Sequence, residues 1–165
     1  MPAAGQVEVA GMSLPQRVGP WAVALVQYGG DPAQGAFVRY LPQDSTSALP
    51  RIDVIVYPAE TSLPDEVELS HGDLLEADRT SSRIDATTLL SERIVPLAAI
   101  GDTAYRATYY LAVQDVAERS IIWLHDTGDR FVKARTSFAL HVGYDPMDSV
   151  DAAITTLLES ARSSR

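Results

Sequence analysis

The pattern of apolar and polar positions predicts three strands in the first third of the chain. Larger apolar residues alternate with smaller or polar neighbours over 21–28 and 35–41, and residues 51–57 are dense in β-branched side chains. Each run ends at a glycine or proline, and the short links between the runs imply antiparallel pairing. Residues 1–20 hold three prolines and three glycines with little periodicity, which predicts a flexible N-terminal segment.

The rest of the chain alternates between helical and extended patterns. Ser62 is placed to cap a helix that runs to about Ser82. Four runs typical of strands follow, over 88–97, 103–113, 120–125 and 131–140. A C-terminal helix is then predicted, with Asp145 as its cap and Pro146 at its first position. Its apolar stripe consists of Met147, Val150, Ile154, Leu157, Leu158 and Ala161.

This order of elements predicts an α+β fold in one domain over residues 21–165. We expect an antiparallel sheet of six to seven strands with the helices packed on it. The order resembles, over about residues 21–161, the fold group that contains the photosystem II protein PsbP, the Ran-binding protein Mog1 and the bacterial lipoprotein DcrB. The resemblance implies an α/β/α sandwich and a role in binding or assembly, and it carries no functional residue to this chain.

Composition excludes several classes of function. The formal charge of −9 would repel a phosphate backbone, so we expect no nucleic-acid partner. The chain has no cysteine, which removes disulfides, thiolate metal sites and a cysteine nucleophile. No apolar stretch is long enough to span a membrane. We expect a cytoplasmic protein by default, or an exported mature form if a leader has been removed. Lys133 is the one lysine among thirteen basic residues, a bias typical of GC-rich bacterial genomes.

Two groups of residues contain the side-chain types that metal sites or catalytic sites require. His125, Asp126 and Asp129 lie around a predicted hairpin tip, but aspartate and glycine are also the residues that tight turns require, and we favour the turn. Ser70, His71 and Asp73 are too close on one helix to form a hydrolytic relay, so His71 is interpreted as a core histidine. We therefore expect no metal, no cofactor and no catalytic residue.

A block of acidic residues covers the first predicted helix. Seven acids from Glu60 to Asp78 occur with no lysine or arginine between them. A solvated helix face is the favoured interpretation, because acids are also stabilising near a helix N-terminus. The alternative is a surface that docks a basic partner through Glu66, Glu68, Asp73 and Glu76.

Alternation along two strands indicates a basic sheet face. Arg106 and Tyr110 share one side of their strand, and Lys133 and Arg135 share one side of theirs. If the two rows are neighbours, these four residues form a site for an anionic or aromatic ligand. An ordinary solvated sheet face is favoured over this site. A third alternative is an internal ion-pair network, with Asp53 as the neutralising carboxylate.

These observations favour a binding or accessory module without enzymatic activity, with a protein or a small ligand as its partner. One alternative is an enzyme that acts on a small anionic substrate at the basic face, with His125 as the general base. Another is an acidic antagonist that masks a basic partner.

Overall fold

The computed structural model describes residues 4–80 and 84–163, apart from the side chains of 74–80, 84 and 85. The fold is mostly β, with 55% of residues in strands and 17% in helices. The strands are β1 (Gln6–Val9), β2 (Met12–Pro15), β3 (Arg17–Val18), β4 (Trp21–Tyr28), β5 (Ala36–Pro42), β6 (Ile52–Pro58), β7 (Ile84–Leu97), β8 (Asp102–Val113), β9 (Val116–Asp126), β10 (Arg130–Ala139) and β11 (Arg162–Ser163). The helices are α1 (Leu63–Thr80) and α2 (Met147–Ser160).

The strands form two antiparallel sheets. The larger sheet has eight strands in the order β3-β4-β5-β6-β10-β9-β8-β7, and the smaller has three in the order β1-β2-β11. The prediction of an α/β/α sandwich with six to seven strands is therefore wrong. The difference comes from strands β1, β2, β3 and β11, which lie in the first twenty residues and the C-terminal tail and for which no strand was expected.

The first twenty residues, expected to be flexible, contain a hairpin that packs into the core. Ala10 and Gly11 both have positive φ, at 48° and 77°, and such a two-residue turn matches the twist of an antiparallel pair. The turn joins β1 to β2, whose Met12 and Leu14 have no exposed surface. Residues Arg162–Ser163 then pair with β2, so the two ends of the described chain lie in one sheet.

Each face of the eight-stranded sheet is covered in part by one helix. Directly paired residues in antiparallel strands point to the same face, so Tyr105, Leu124 and Lys133 share one face, whereas Arg106 and Trp123 share the other. Contacts of Lys133 with Glu66 and of Arg106 with Asp151 assign these faces to α1 and α2. We call them the α1 face and the α2 face.

The larger core lies on the α2 face. Helix α2 begins at Met147, one residue later than predicted, and Asp145 accepts a hydrogen bond of 3.0 Å from the Met147 amide. The predicted burial of its apolar stripe is confirmed at Val150, Ile154, Leu157 and Leu158. They pack in one cluster with residues of the hairpin and of the sheet: Met12, Leu14, Trp21, Tyr40 and Trp123.

A smaller core holds α1 against the other face. Leu63 and Val67 of the helix pack on Tyr105, Leu124 and Phe131. Ser62 caps the helix as predicted, since its hydroxyl accepts a hydrogen bond of 3.3 Å from the Asp65 amide. The helix leaves the α1 face of β4 and β5 open, where Leu25 and Leu41 are exposed. A polar cleft lies on the same face at the start of β6.

Candidate functional site

The sheet separates the four residues that were expected to form a basic face. Strand β9 lies between β8 and β10, and its register places Tyr105, not Arg106, on the same face as Lys133. Arg106 and Tyr110 therefore point to the α2 face, while Lys133 and Arg135 point to the α1 face. Each row was identified correctly along its own strand, but the two rows are not neighbours.

Arg106 is held inside the protein by α2. Its guanidinium makes two contacts with the Asp151 carboxylate, at 3.1 and 3.0 Å, and lies 5.8 Å from the centre of the Trp123 ring. The residue is only 6% exposed. Because all of these partners belong to the core side of the sheet, Arg106 fastens α2 to β8 and is not open to a ligand.

Lys133 is similarly engaged beneath α1. Its ammonium lies 3.4 Å from the Glu66 carboxylate and 5.5 Å from the centre of the Tyr57 ring. Tyr57 donates a hydrogen bond of 2.5 Å to the same carboxylate. Burial is the main cause that raises the pKa of Tyr57, and the neighbouring Glu66 raises it further. The three side chains form an internal polar contact between β6, β10 and α1.

This contact also divides the expected acidic docking surface. Glu66 is only 7% exposed and is engaged by Tyr57 and Lys133, so it does not face a partner. Glu68 and Asp73 are exposed on the outer side of α1. The side chain of Glu76 lies outside the described residues. The acidic positions therefore do not act as one surface, since at least one of them belongs to the interior.

In contrast to Lys133, Arg135 lines an open cleft with a volume of about 540 Å³. We call it the arginine cleft, and its lining residues are Arg51, Asp53, Glu118, Arg135, Thr136 and Ser137. It forms because Arg135 is opposite Asp53 in the pairing of β10 with β6, with Ser137 two positions further along β10. Asp53 was considered at the outset as a neutralising partner for the basic residues, and it does lie beside Arg135.

Two other arginines already occupy the Asp53 carboxylate. Arg39 contacts its two oxygens at 2.8 and 3.0 Å, and Arg51 approaches one of them at 3.3 Å. The paired geometry of Arg39 is the strong, bidentate arrangement of guanidinium with carboxylate. The hydrogen bond from Arg39 to Asp53 raises the pKa of Arg39. Asp53 therefore already pairs with two guanidinium groups, and Arg135 lies beside it without ion-pair contact.

Arg135 accordingly makes no hydrogen bond or ion pair with any residue that the structure describes. Its side chain is accessible to solvent from the cleft. Desolvation by the surrounding protein lowers the pKa of Arg135, and Asp53 only partly opposes this effect. The guanidinium remains charged, so the cleft presents one cation whose charge is not matched by a carboxylate of its own.

The cleft also contains the Glu118 carboxylate and the Ser137 hydroxyl group, whereas the Thr136 side chain is 2% exposed and points to the α2 face. Thr136 donates to the Arg51 carbonyl oxygen at 2.6 Å, and Ser137 donates to the Ser120 hydroxyl oxygen at 3.0 Å. Glu118 is partly exposed and has no hydrogen-bond or ion-pair partner within the described part of the chain. The cleft thus carries an unpaired guanidinium and an unpaired carboxylate.

None of the three histidines lines this cleft. His71 lies on the side of α1 that faces the sheet, where its ring contacts the Tyr105 hydroxyl at 2.9 Å through Nε2 and the Tyr109 hydroxyl through Nδ1. His125 is 3% exposed on the α2 face, with its Nδ1 lying 3.1 Å from the Thr103 carbonyl oxygen. His141 stacks on Tyr144 after β10. The proposed general base, His125, is therefore on the opposite side of the sheet from Arg135.

The predicted hairpin tip is a turn. Asp126 ends β9, Arg130 begins β10, and the Asp126 carboxylate accepts a hydrogen bond of 2.8 Å from the Gly128 amide. Gly128 has a φ of 101°, which explains the glycine at this position. Across the described residues, no group of three or more histidine, aspartate or glutamate side chains is arranged to hold a metal ion.

Sequence reasoning missed the residues that surround Arg135. Arg39 lies on β5, Arg51 directly precedes β6 and Glu118 lies on β9. Only the pairing register of β5, β6, β10 and β9 brings them together. One signal was present, because Arg51 and Asp53 have the spacing of two residues on the same face of one strand.

No known protein family matches the chain, and a search of curated proteins finds no similar sequence. Neither α1 nor α2 has, over its described residues, the length and apolar character required to cross a membrane.

Proposed function

We propose that this protein is a binding module without enzymatic activity, and that it holds a small anionic ligand in the arginine cleft. The observation that carries the proposal is the unpaired guanidinium of Arg135. Because its neighbour Asp53 already pairs with two other arginines, Arg135 gains two charge-assisted hydrogen bonds when a ligand carboxylate or phosphate binds it.

The local charge supports an anion although the whole chain is acidic. Arg39, Arg51 and Arg135 meet at Asp53, with Glu118 as the other carboxylate of the cleft. This leaves three cations against two anions on a protein whose formal charge is −9. The cleft therefore has a local excess of positive charge, which attracts an anion in spite of the net charge of the chain.

The size and chemistry of the cleft also favour binding over catalysis. Its volume of about 540 Å³ lies within the range of about 300–1,000 Å³ that is usual for small-molecule pockets. Its lining supplies guanidinium, carboxylate and hydroxyl groups, but no histidine is placed to activate a nucleophile. Ser137 lines the cleft, and its hydroxyl is engaged with Ser120.

The proposal is tested by titrating the protein with succinate and with inorganic phosphate at low ionic strength, using calorimetry. We expect Arg135→Gln to weaken binding by about tenfold or more, since a hydrogen bond to a charged group contributes about 1.5–3 kcal/mol. The matched control is Arg93→Gln. Arg93 is an exposed arginine of β7 that, within the described ranges, also has no ion-pair partner, so the same charge is removed elsewhere.

Both variants are expected to retain the urea midpoint of the unchanged protein, because neither loses an ion pair. If the two substitutions weaken anion binding equally, the effect comes from the overall charge of the protein, and the cleft is rejected as the binding site. Failure of the unchanged protein to bind either anion at millimolar concentration would reject the proposal as well.

A further inference from the structure

The arginine cleft contains a second unpaired charge, and it is negative. Glu118 of β9 is partly exposed and lines the same cleft as Arg135. Neither residue makes an ion pair or hydrogen bond with another residue in the described ranges. Because these two opposite charges do not pair with each other, one ligand can pair with both.

The pairing of β9 with β10 sets the distance between these charges. Arg135 is opposite Ile122, and Glu118 is four residues before Ile122 on the same strand. At roughly 3.4 Å per residue along a strand and about 4.8 Å between strands, the two main-chain positions are about 14 Å apart. The side chains extend from these positions into one cleft, yet the guanidinium and carboxylate do not reach ion-pair distance. A ligand that pairs with both must therefore carry two opposite charges on separate groups that bridge this gap.

Glu118 also affects which anionic ligands bind most tightly in the arginine cleft. A ligand that carries only negative charge can pair with Arg135, but it gains nothing from Glu118 and is partly repelled by it, so it binds more weakly than a ligand that also carries a cation. A ligand that carries an ammonium group would pair with Glu118 while its carboxylate pairs with Arg135. One molecule would then pair with both charges.

We infer that the ligand is a linear zwitterion, with a carboxylate at Arg135 and an ammonium group at Glu118, of the length of a dipeptide or tripeptide. An extended tripeptide spans about 10 Å at roughly 3.3–3.6 Å per residue. This length is shorter than the separation of the two main-chain positions, and it is longer than the distance between the ammonium and carboxylate groups of an α-amino acid. This inference rests on the proposed anion site and names the class of ligand that the site takes.

A glycine series measures the spacing directly. Calorimetric titration of the full chain with glycine, diglycine and triglycine is expected to show binding that strengthens with length, with triglycine at least about tenfold tighter than glycine. N-acetyldiglycine is triglycine with its ammonium group replaced by hydrogen, so it keeps the carboxylate and both peptide bonds. Triglycine amide keeps the ammonium group and lacks the carboxylate. Each is expected to bind about tenfold more weakly than triglycine.

Two variants separate this inference from the proposed function. Glu118→Gln should reduce the preference for triglycine over N-acetyldiglycine to less than about twofold, whereas Glu60→Gln, at an exposed acid outside the cleft, should leave it unchanged. Arg135→Gln should weaken both ligands. If N-acetyldiglycine binds as tightly as triglycine and is weakened by Arg135→Gln alone, the anion site stands and the zwitterion is rejected. If Arg135→Gln affects neither ligand, both proposals are rejected.

Discussion

Lys133 and Arg135 lie two residues apart on β10 and point to the same face, but their surroundings differ. Lys133 is covered by α1 and has its own carboxylate, Glu66, at 3.4 Å. Arg135 lies beyond the cover of α1, beside an Asp53 carboxylate that Arg39 and Arg51 already engage. The two residues were treated as one basic row in the sequence. In the fold, Lys133 belongs to an internal contact and Arg135 belongs to a cleft.

The raised pKa of Tyr109 leads us to expect that the protein loses stability at high pH. It is 3% exposed, and desolvation raises its pKa to about 12, with the charge of Glu92 acting in the same direction. In the unfolded chain the pKa of tyrosine is about 10. Because the folded value is higher, the contribution of neutral Tyr109 is complete below about pH 10 and is lost as the pH rises through about 12.

Urea unfolding followed between about pH 9 and pH 12 checks this prediction. Tyr109→Phe should reduce the dependence of the free energy of unfolding on pH in this range. Tyr28→Phe, at a tyrosine that is 40% exposed, serves as the control. An unchanged dependence in Tyr109→Phe would show that this hydroxyl group does not ionise with a raised pKa.

At the scale of elements, α1 is attached to the sheet by a small apolar core and by the contact of Lys133 with Glu66 and Tyr57. The side chains of Lys133 and Glu66 are 14% and 10% exposed, so the ion pair is largely removed from solvent. Removing one partner of such a pair leaves a charge in a poorly solvated position, which is strongly destabilising.

Lys133→Gln should therefore lower the free energy of unfolding by about 3 kcal/mol, as measured by urea unfolding at pH 7. Arg135→Gln should change it by less than about 0.5 kcal/mol, because no partner is left unpaired. The two substitutions remove the same charge from the same strand, so each is the control for the other. Equal effects would contradict the assignment of one residue to the interior and the other to the cleft.

Local patterns were sufficient to predict most elements but not their lateral arrangement. The apolar stripe of α2 and the Ser62 cap of α1 depend on residues close in sequence, and both were recognised. The neighbours of Arg106 depend on the register of three strands, which alternation along one strand does not determine. The hairpin of β1 and β2 was missed because its glycines and prolines resemble a linker, although Val7, Val9, Met12 and Leu14 alternate around Ala10-Gly11.

At the scale of the whole molecule, the sheet has different partners on its two faces. The α2 face is covered by α2 and the N-terminal hairpin, which together with the sheet form the larger core. The α1 face is covered only in part, and the uncovered portion includes the arginine cleft. An accessible cationic site on a chain of formal charge −9 is therefore provided by the incomplete cover of one sheet face.

The most direct test of the anion site is side-chain NMR of the arginines during a titration with succinate at constant ionic strength. The account predicts that the Nε–Hε signal of Arg135 shifts to saturation, together with the backbone amides of Thr136 and Ser137, and that all three yield one dissociation constant. The Arg93 signal should remain in place. Equal, non-saturating shifts of Arg93 and Arg135, or no shift at Arg135, would contradict the account.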